Sequence, residues 1–297
     1  MPKKNKKKII LLFGPTASGK SKLAIDIAKK FNAEIINADS MQVYKEIKIL
    51  SARPTYQSIK HHMYGFVSVK HSFSTGEWLK RASKIIKRIN KKGKIALVVG
   101  GTGLYFKALT HGFSEIPNIP KPKANFKLNK NYIVKFPKIF KDISFNDKQR
   151  LQRAFLVYKH TGIPLWKWQK KNKKFFNSKD FNKIYLYPPK IEVENRIKKR
   201  FLEMIKKGAI NETKKFIKIN TNPMSPSNFI IGLKEISEFL GNEISLETLK
   251  EKVVIRSRQY AKRQYTWQRG QMKGWRGFSD TNYLDLRKKV IRYLSKT

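Results

Sequence analysis

The chain contains no cysteine, which excludes disulfides, thiolate metal sites and a cysteine nucleophile together. It also has no run of 18 apolar residues, so no membrane-spanning helix is expected. Acidic residues are scarce: 20 Asp and Glu stand against 66 Lys and Arg, a net charge of +46. The apolar stretch at 9–13, behind a lysine-rich start, is too short for the centre of a signal peptide. A cytoplasmic location is the expectation these absences leave. With 40% apolar residues in 297, the chain can bury a substantial core, either as one large domain or as a core carrying a smaller insertion. The basic excess attracts polyanions. Abundant Lys, Ile, Asn and Phe also fit AT-rich codon usage, so charge supports an RNA partner without identifying it.

Residues 9–13 read as a buried parallel strand. A glycine-rich turn and a helix at 21–30 follow, then a strand at 34–38, a helix at 75–90 and a strand at 94–99. This alternation predicts an α/β fold: a P-loop NTPase-like parallel sheet flanked by helices, with ligands gathered at the carboxyl ends of the strands. After residue 112 the texture changes. Residues 117–122 read as a proline-rich linker, and helical signals return at 147–160. A strand at 183–187 returns to the sheet, and helices are expected at 192–207, 231–240 and 246–268. The expected organisation is a catalytic core of 1–112 and 183–297, with an inserted, mainly helical domain at 113–182.

Gly14-Pro15-Thr16-Ala17-Ser18-Gly19-Lys20-Ser21 fits the G-x-x-x-x-G-K-[ST] phosphate loop between a strand and a helix. Its glycines let successive backbone N–H groups face phosphate oxygens, and the helix N-terminus adds partial positive charge. Lys20 supplies a point charge for the terminal phosphates, and Ser21 is the candidate Mg²⁺ contact. Asp39, in Asp39-Ser40-Met41-Gln42-Val43-Tyr44, ends the second strand. It is a general base, a metal holder or a structural turn cap. Gly100-Gly101-Thr102-Gly103 repeats the arrangement after the third strand, with Thr102 offering a hydroxyl.

With these motifs in order, the chain resembles the tRNA dimethylallyltransferase (isopentenyltransferase) family. Ser51-Ala52-Arg53-Pro54 is similar to its T-A-K-P segment, and Gln149-Arg150-Leu151-Gln152-Arg153-Ala154 matches Q-R-x-x-R-A. Arg196-Ile197-Lys198-Lys199-Arg200-Phe201 looks like its R-I-x-x-R-F helix, and Ile231-Gly232-Leu233-Lys234-Glu235 its I-G-Y-K-E. Gln259-Tyr260-Ala261-Lys262-Arg263-Gln264-Tyr265-Thr266-Trp267 matches the signature Q-Y-A-K-R-Q-x-T-W. Two departures fall near the insertion: a short segment between Tyr105 and Asp147, and Phe155-Leu156 in place of Leu-Glu.

The resemblance implies transfer of a dimethylallyl group from dimethylallyl diphosphate to N6 of the adenosine 3′ of the tRNA anticodon, with Mg²⁺. It implies that Gly14, Pro15, Thr16, Ala17, Ser18, Gly19, Lys20 and Ser21 hold the diphosphate, with Arg200, and secondarily Arg196, meeting the departing charge. Asp39 is the candidate base; Ser40, Met41, Gln42 and Thr102 face the target nucleotide; and Gln149, Arg150, Leu151, Gln152 and Arg153 touch tRNA. Thr16 is expected near the breaking bond. Lys262 and Arg263 are structural or RNA-contacting, and the tryptophans Trp166, Trp168 and Trp267 pack or stack on bases. A monomer is expected. The rival readings are a P-loop kinase or NTPase with ATP in the same loop, and a non-catalytic RNA-binding protein.

Overall fold

The computed structural model describes residues 9–54, 58–117, 119, 128–219 and 225–297. The lysine-rich start and most of the proline-rich linker lie outside them. In chain order the elements are β1 (Ile9–Phe13), α1 (Lys20–Lys30), β2 (Ala33–Asn37), β3 (His61–His62), α2 (Thr75–Lys91), β4 (Ile95–Gly100) and α3 (Gly103–His111). Three helices follow: α4 (Lys130–Lys135), α5 (Lys148–Thr161) and α6 (Leu165–Lys170). Then come β5 (Phe181–Leu186), α7 (Lys190–Lys206), α8 (Ala209–Ile219), α9 (Leu233–Leu240), α10 (Leu246–Gln271), β6 (Arg276–Phe278) and α11 (Tyr283–Ser295).

Strand order in the sheet is β3-β2-β4-β1-β5-β6, with every pairing parallel. β1 lies between β4 and β5, in register Leu12↔Val99 and Leu12↔Ile184. Its five residues are all buried, because helices cover both faces of a parallel sheet. Ile10 and Leu12 pack with Leu23, Ala24 and Ile27 of α1 and with Leu286, Val290 and Leu294 of α11. On the other face Phe13 meets Phe106 edge-on at 5.6 Å. There the indole of Trp78, fully buried, donates to the Asn37 carbonyl at 2.8 Å and stacks on Tyr105 at 4.4 Å. α2 begins at Ser74, whose hydroxyl accepts from the Glu77 N–H while Glu77 accepts from the Ser74 N–H. Such a reciprocal cap satisfies two donors that the first helical turn leaves open.

The chain forms two compact units, 1–107 with 177–297 and 108–176. The smaller has its own core of Ile133, Ile139, Phe140, Leu151 and Ala154. Among the described residues no helix is long and apolar enough to cross a membrane.

The carboxyl ends of β2 and β4 approach closely. A Cβ on Gly100 would stand 2.1 Å from the Ala38 carbonyl oxygen, so only glycine fits there. Gly100→Ala is expected to cost about 3 kcal/mol and to lower the thermal midpoint by roughly 6–12 °C. A Cβ on Gly270, inside α10, meets open space. Gly270→Ala should therefore raise the midpoint slightly in the same calorimetric comparison.

Candidate functional site

The turn from Gly14 to Gly19 joins β1 to α1. Ala17 and Gly19 both adopt positive φ, at 60° and 85°, which folds the chain back on itself ahead of the helix. The Ser18 N–H closes the turn on the Pro15 carbonyl at 3.2 Å, and Gly14 N–H donates to the Gly100 carbonyl at 3.2 Å. Lys20 Nζ donates to the Pro15 carbonyl at 3.0 Å. Ser18 Oγ is buried without a hydrogen-bond partner among the described residues; a Cβ on Gly14 would lie 2.7 Å from it.

Two helices from the far end of the chain enclose this turn. In α7 the apolar residues Val193, Ile197, Phe201 and Met204 recur at helical spacing and are buried. Arg196 and Arg200, four apart, share another face. Arg200 Nη2 donates to Thr16 Oγ1 at 2.7 Å, and Arg196 Nη1 comes within 3.9 Å of a Cβ built on Gly19. α10 carries a buried stripe that begins apolar, with Leu249 and Val253, and turns polar at Ser257, Gln264 and Gln268. The polar part lies beside the glycine turns. Gln264 Oε1 accepts from the Thr16 N–H at 2.8 Å, and its Nε2 donates to the Gly101 carbonyl at 2.9 Å. The Trp267 indole lies over Gly103, where a Cβ would meet its Nε1 at 2.1 Å. Trp267 thus packs against the start of α3 and remains half-buried.

On the other side of the cavity Asp39 Oδ1 accepts from the Met41 N–H at 2.9 Å, which fixes the carboxylate. Thr102 Oγ1 accepts from the Ser40 N–H at 2.9 Å and donates to Ser40 Oγ at 3.2 Å. The Tyr260 hydroxyl is hydrogen-bonded to Thr102, and burial pushes its pKa above the usual phenol value. Gln42 Nε2 is held by the carbonyls of Ser51 and Ala52 at 3.0 and 3.1 Å. Arg53 Nη1 donates to the Tyr44 carbonyl at 3.0 Å. Glu235 accepts from the Gly232 N–H at 3.1 Å and pairs with Arg256 at 2.5 Å, which ties the Ile-Gly-Leu-Lys-Glu segment to α10.

These elements bound a cavity of about 840 Å³ within the larger unit. It gathers Thr16, Ala17, Ser18, Gly19, Lys20 and Ser21 with Asp39, Met41, Gln42, Arg196 and Arg200. Gly14 and Pro15 support the turn from behind, and Ser40 and Thr102 pair beside Asp39 without lining the cavity. Gln149, Arg150, Leu151, Gln152 and Arg153 lie elsewhere, on α5 of the smaller unit. There Arg150 pairs with Asp147 at 3.1 Å. Leu151 is 3% exposed in that unit's core, so its side chain supports the helix and presents no surface to a ligand. Sequence reasoning did not single out Gln264, Tyr260 and Arg256 individually. The signal for Gln264 was present: a glutamine on the buried stripe of a helix needs polar partners.

Withdrawal from water lowers the pKa of Lys20 to about 8, with Asp39 opposing the shift and Arg200 adding to it. Burial also lowers that of Arg200, again against Asp39. Two recessed cations facing a single carboxylate favour a polyanion. Among the described residues no group of three His, Cys, Asp or Glu forms a metal cage. A hydroxyl such as Ser21 in a phosphate site is nevertheless a fitting donor for Mg²⁺, which keeps several waters and binds largely through phosphate oxygens.

A parallel sheet with a glycine turn, a recessed lysine and a helix N-terminus at its carboxyl edge defines an α/β protein of the P-loop type. Residues 42–271 match the model of the IPP transferase family, and the chain belongs to that family. A tRNA dimethylallyltransferase of Pelagibacter ubique is 45% identical over 282 residues, 90% of each chain. The tRNA isopentenylpyrophosphate transferase of Bacillus halodurans superposes with a TM-score of 0.73 at 26% identity, covering 98% of this chain and 96% of that one. A eukaryotic dimethylallyltransferase acting on tRNA gives 0.77 at 28% identity, covering 98% and 80%.

Lys20 is charged below about pH 8 and loses its proton above it. A diphosphate monoester is fully ionised above roughly pH 7, so its own titration does not intervene. Its affinity, measured by calorimetry, is expected to fall by up to about tenfold per unit above pH 8. Lys20→Met should bind weakly and show no such slope.

Proposed function

We propose that this chain transfers a dimethylallyl group from dimethylallyl diphosphate to N6 of the adenosine 3′ of the anticodon in tRNA. One observation carries the reading: a single cavity holds both a phosphate turn with recessed Lys20 and Arg200 and, across from it, the fixed carboxylate of Asp39. A relative 45% identical over 90% of both chains carries the name of this activity, which disfavours the nucleotide-kinase alternative.

Breaking the allylic carbon–oxygen bond leaves negative charge on the diphosphate. Lys20 and the Arg200–Thr16 pair stand where that charge develops, and such preorganised stabilisation is commonly the largest catalytic contribution. As the new bond forms between the allylic carbon and N6, the amine proton passes to Asp39. Mg²⁺, held through Ser21 and the diphosphate, would neutralise part of the leaving group's charge. Ser40, Met41, Gln42 and Thr102 frame the acceptor side. The adenine must leave its stack to enter, a cost of about a few kcal/mol that a single-stranded loop keeps low.

Gln149, Arg150, Gln152 and Arg153 of α5 would contact tRNA, with Leu151 as their support. In the same unit Lys141, Lys167 and Lys170 place their ammonium groups 5.2–5.7 Å from the Trp166 ring centre. Among the described residues none of the three has a carboxylate partner. That unpaired charge suits RNA phosphates. A monomer acting in the cytoplasm belongs to the same proposal.

The test is incubation with Mg²⁺, unmodified tRNA and dimethylallyl diphosphate, followed by mass spectrometry of the digested tRNA. An adenosine heavier by one dimethylallyl group is expected; phosphate transfer from ATP without it would overturn the reading. Asp39→Ala should lower kcat by about 10²–10⁴-fold while tRNA affinity stays near that of the wild type. Turnover within tenfold of wild type would remove Asp39 from the base role. Replacing Lys141, Lys167 and Lys170 by Ala should reduce the slope of log affinity for tRNA against log salt by about two to three.

A further inference from the structure

Resting on that transferase reading, we propose that Gln264 is a positioning residue that sets the spacing between the phosphate turn and the acceptor-side turn. Its side chain is 4% exposed and sits on the buried stripe of α10. Both ends of its amide are engaged, one with each turn: Oε1 accepts from the Thr16 N–H at 2.8 Å and Nε2 donates to the Gly101 carbonyl at 2.9 Å. At neutral pH a carboxamide both accepts and donates from one planar group, which an ionised carboxylate of the same shape cannot do.

What lies beyond each hydrogen bond gives Gln264 its reach. In a phosphate loop the backbone N–H groups ordinarily face phosphate oxygens, yet here the Thr16 N–H is turned to Gln264 instead. The neighbouring Thr16 hydroxyl is left to the Arg200 guanidinium at 2.7 Å. At the other end, Gly101 leaves room for the amide, because a Cβ there would stand 2.1 Å from Nε2. The next residue, Thr102, holds Ser40 at 2.9 Å, next to Asp39. A path of alternating hydrogen bonds and chain neighbours thus runs from Arg200 and Thr16 through Gln264 and Gly101 to Thr102, Ser40 and Asp39. Beside the backbone contacts among Gly14, Gly100 and Ala38, this one side-chain amide ties the donor's leaving-group contacts to the turn that carries the acceptor's base. Since proximity and alignment govern a displacement between two bound reactants, loss of this spacer acts on the chemical step more than on binding either reactant.

Gln264→Glu keeps the shape. When ionised, the introduced carboxylate still accepts from Thr16, but it cannot donate to Gly101. At pH 8 its kcat for prenyl transfer is expected to fall about 30- to 100-fold, the size of effect that a misplacement of about 1 Å produces. KM for dimethylallyl diphosphate and for tRNA should stay within about threefold of wild type. Burial at this position raises the introduced carboxyl's pKa above the usual glutamate value, so as the pH is lowered from 8 toward about 5 it takes up a proton and regains a donor, and the ratio of variant to wild-type kcat should rise. Gln264→Met loses both contacts and should show no such recovery. A ratio flat in pH, or kcat falling only in proportion to the folded fraction measured by thermal melting, overturns the inference. Should Gln264→Glu fold poorly, Gly101→Ser, which displaces the amide from the other side, must give the same fall in kcat at constant KM. Wild-type product with a pH-flat Gln264→Glu overturns this inference alone; absence of wild-type product overturns the transferase reading with it.

Discussion

Keeping two half-buried cations beside one carboxylate is the constraint around which this molecule is arranged. Lys20 and Arg200 are both depressed by burial, and Asp39 offsets this only in part. Isolated charge in a low-dielectric cavity is unfavourable, so the surrounding structure must hold the arrangement rigid until an anion arrives. It does so with backbone. The Pro15 carbonyl takes Lys20, the Gly14 N–H is tied to Gly100, and close packing of Gly100 on Ala38 fixes the turns after β1, β2 and β4 together.

The N-terminal half alone cannot complete the site. Its three turns supply the phosphate cradle and Asp39, but Arg196 and Arg200 come from α7, and Gln264, Tyr260 and Arg256 from α10. α7 and α10 pack through Val193, Ile197 and Ala261, with Ala17 of the phosphate turn against them. The helices that bring the second cation are thus seated on the loop that carries the first.

Much of this was legible beforehand because the signals were local. The strand at 9–13 and the helix at 75–90 are continuous apolar or periodic segments, and they fall at Ile9–Phe13 and Thr75–Lys91. The turn motifs announce themselves by glycine spacing. β3 and β6 were not legible: at two and three residues they are strands only because a neighbour's edge recruits them. Leu151 lay inside a motif whose resemblance pointed to RNA, while its place on the apolar stripe of α5 sends it to the core. Gln264 lay inside a recognised signature, but its two partners are 248 and 163 residues away, a separation that no periodicity encodes.

The central position of β1 has a consequence for synthesis on the ribosome. Leu12 finds one neighbouring strand at Val99 and the other only at Ile184. At elongation rates of about 5–20 residues per second, the strand's second flank is absent for roughly 10–35 s after its own emergence. During that interval a five-residue run of Ile, Leu and Phe has one open edge, the kind of surface that invites pairing with another chain. The sequence immediately ahead of that run is rich in lysine (Lys3, Lys4, Lys6, Lys7 and Lys8), and like charge next to an apolar strand in the chain disfavours its pairing with a second copy.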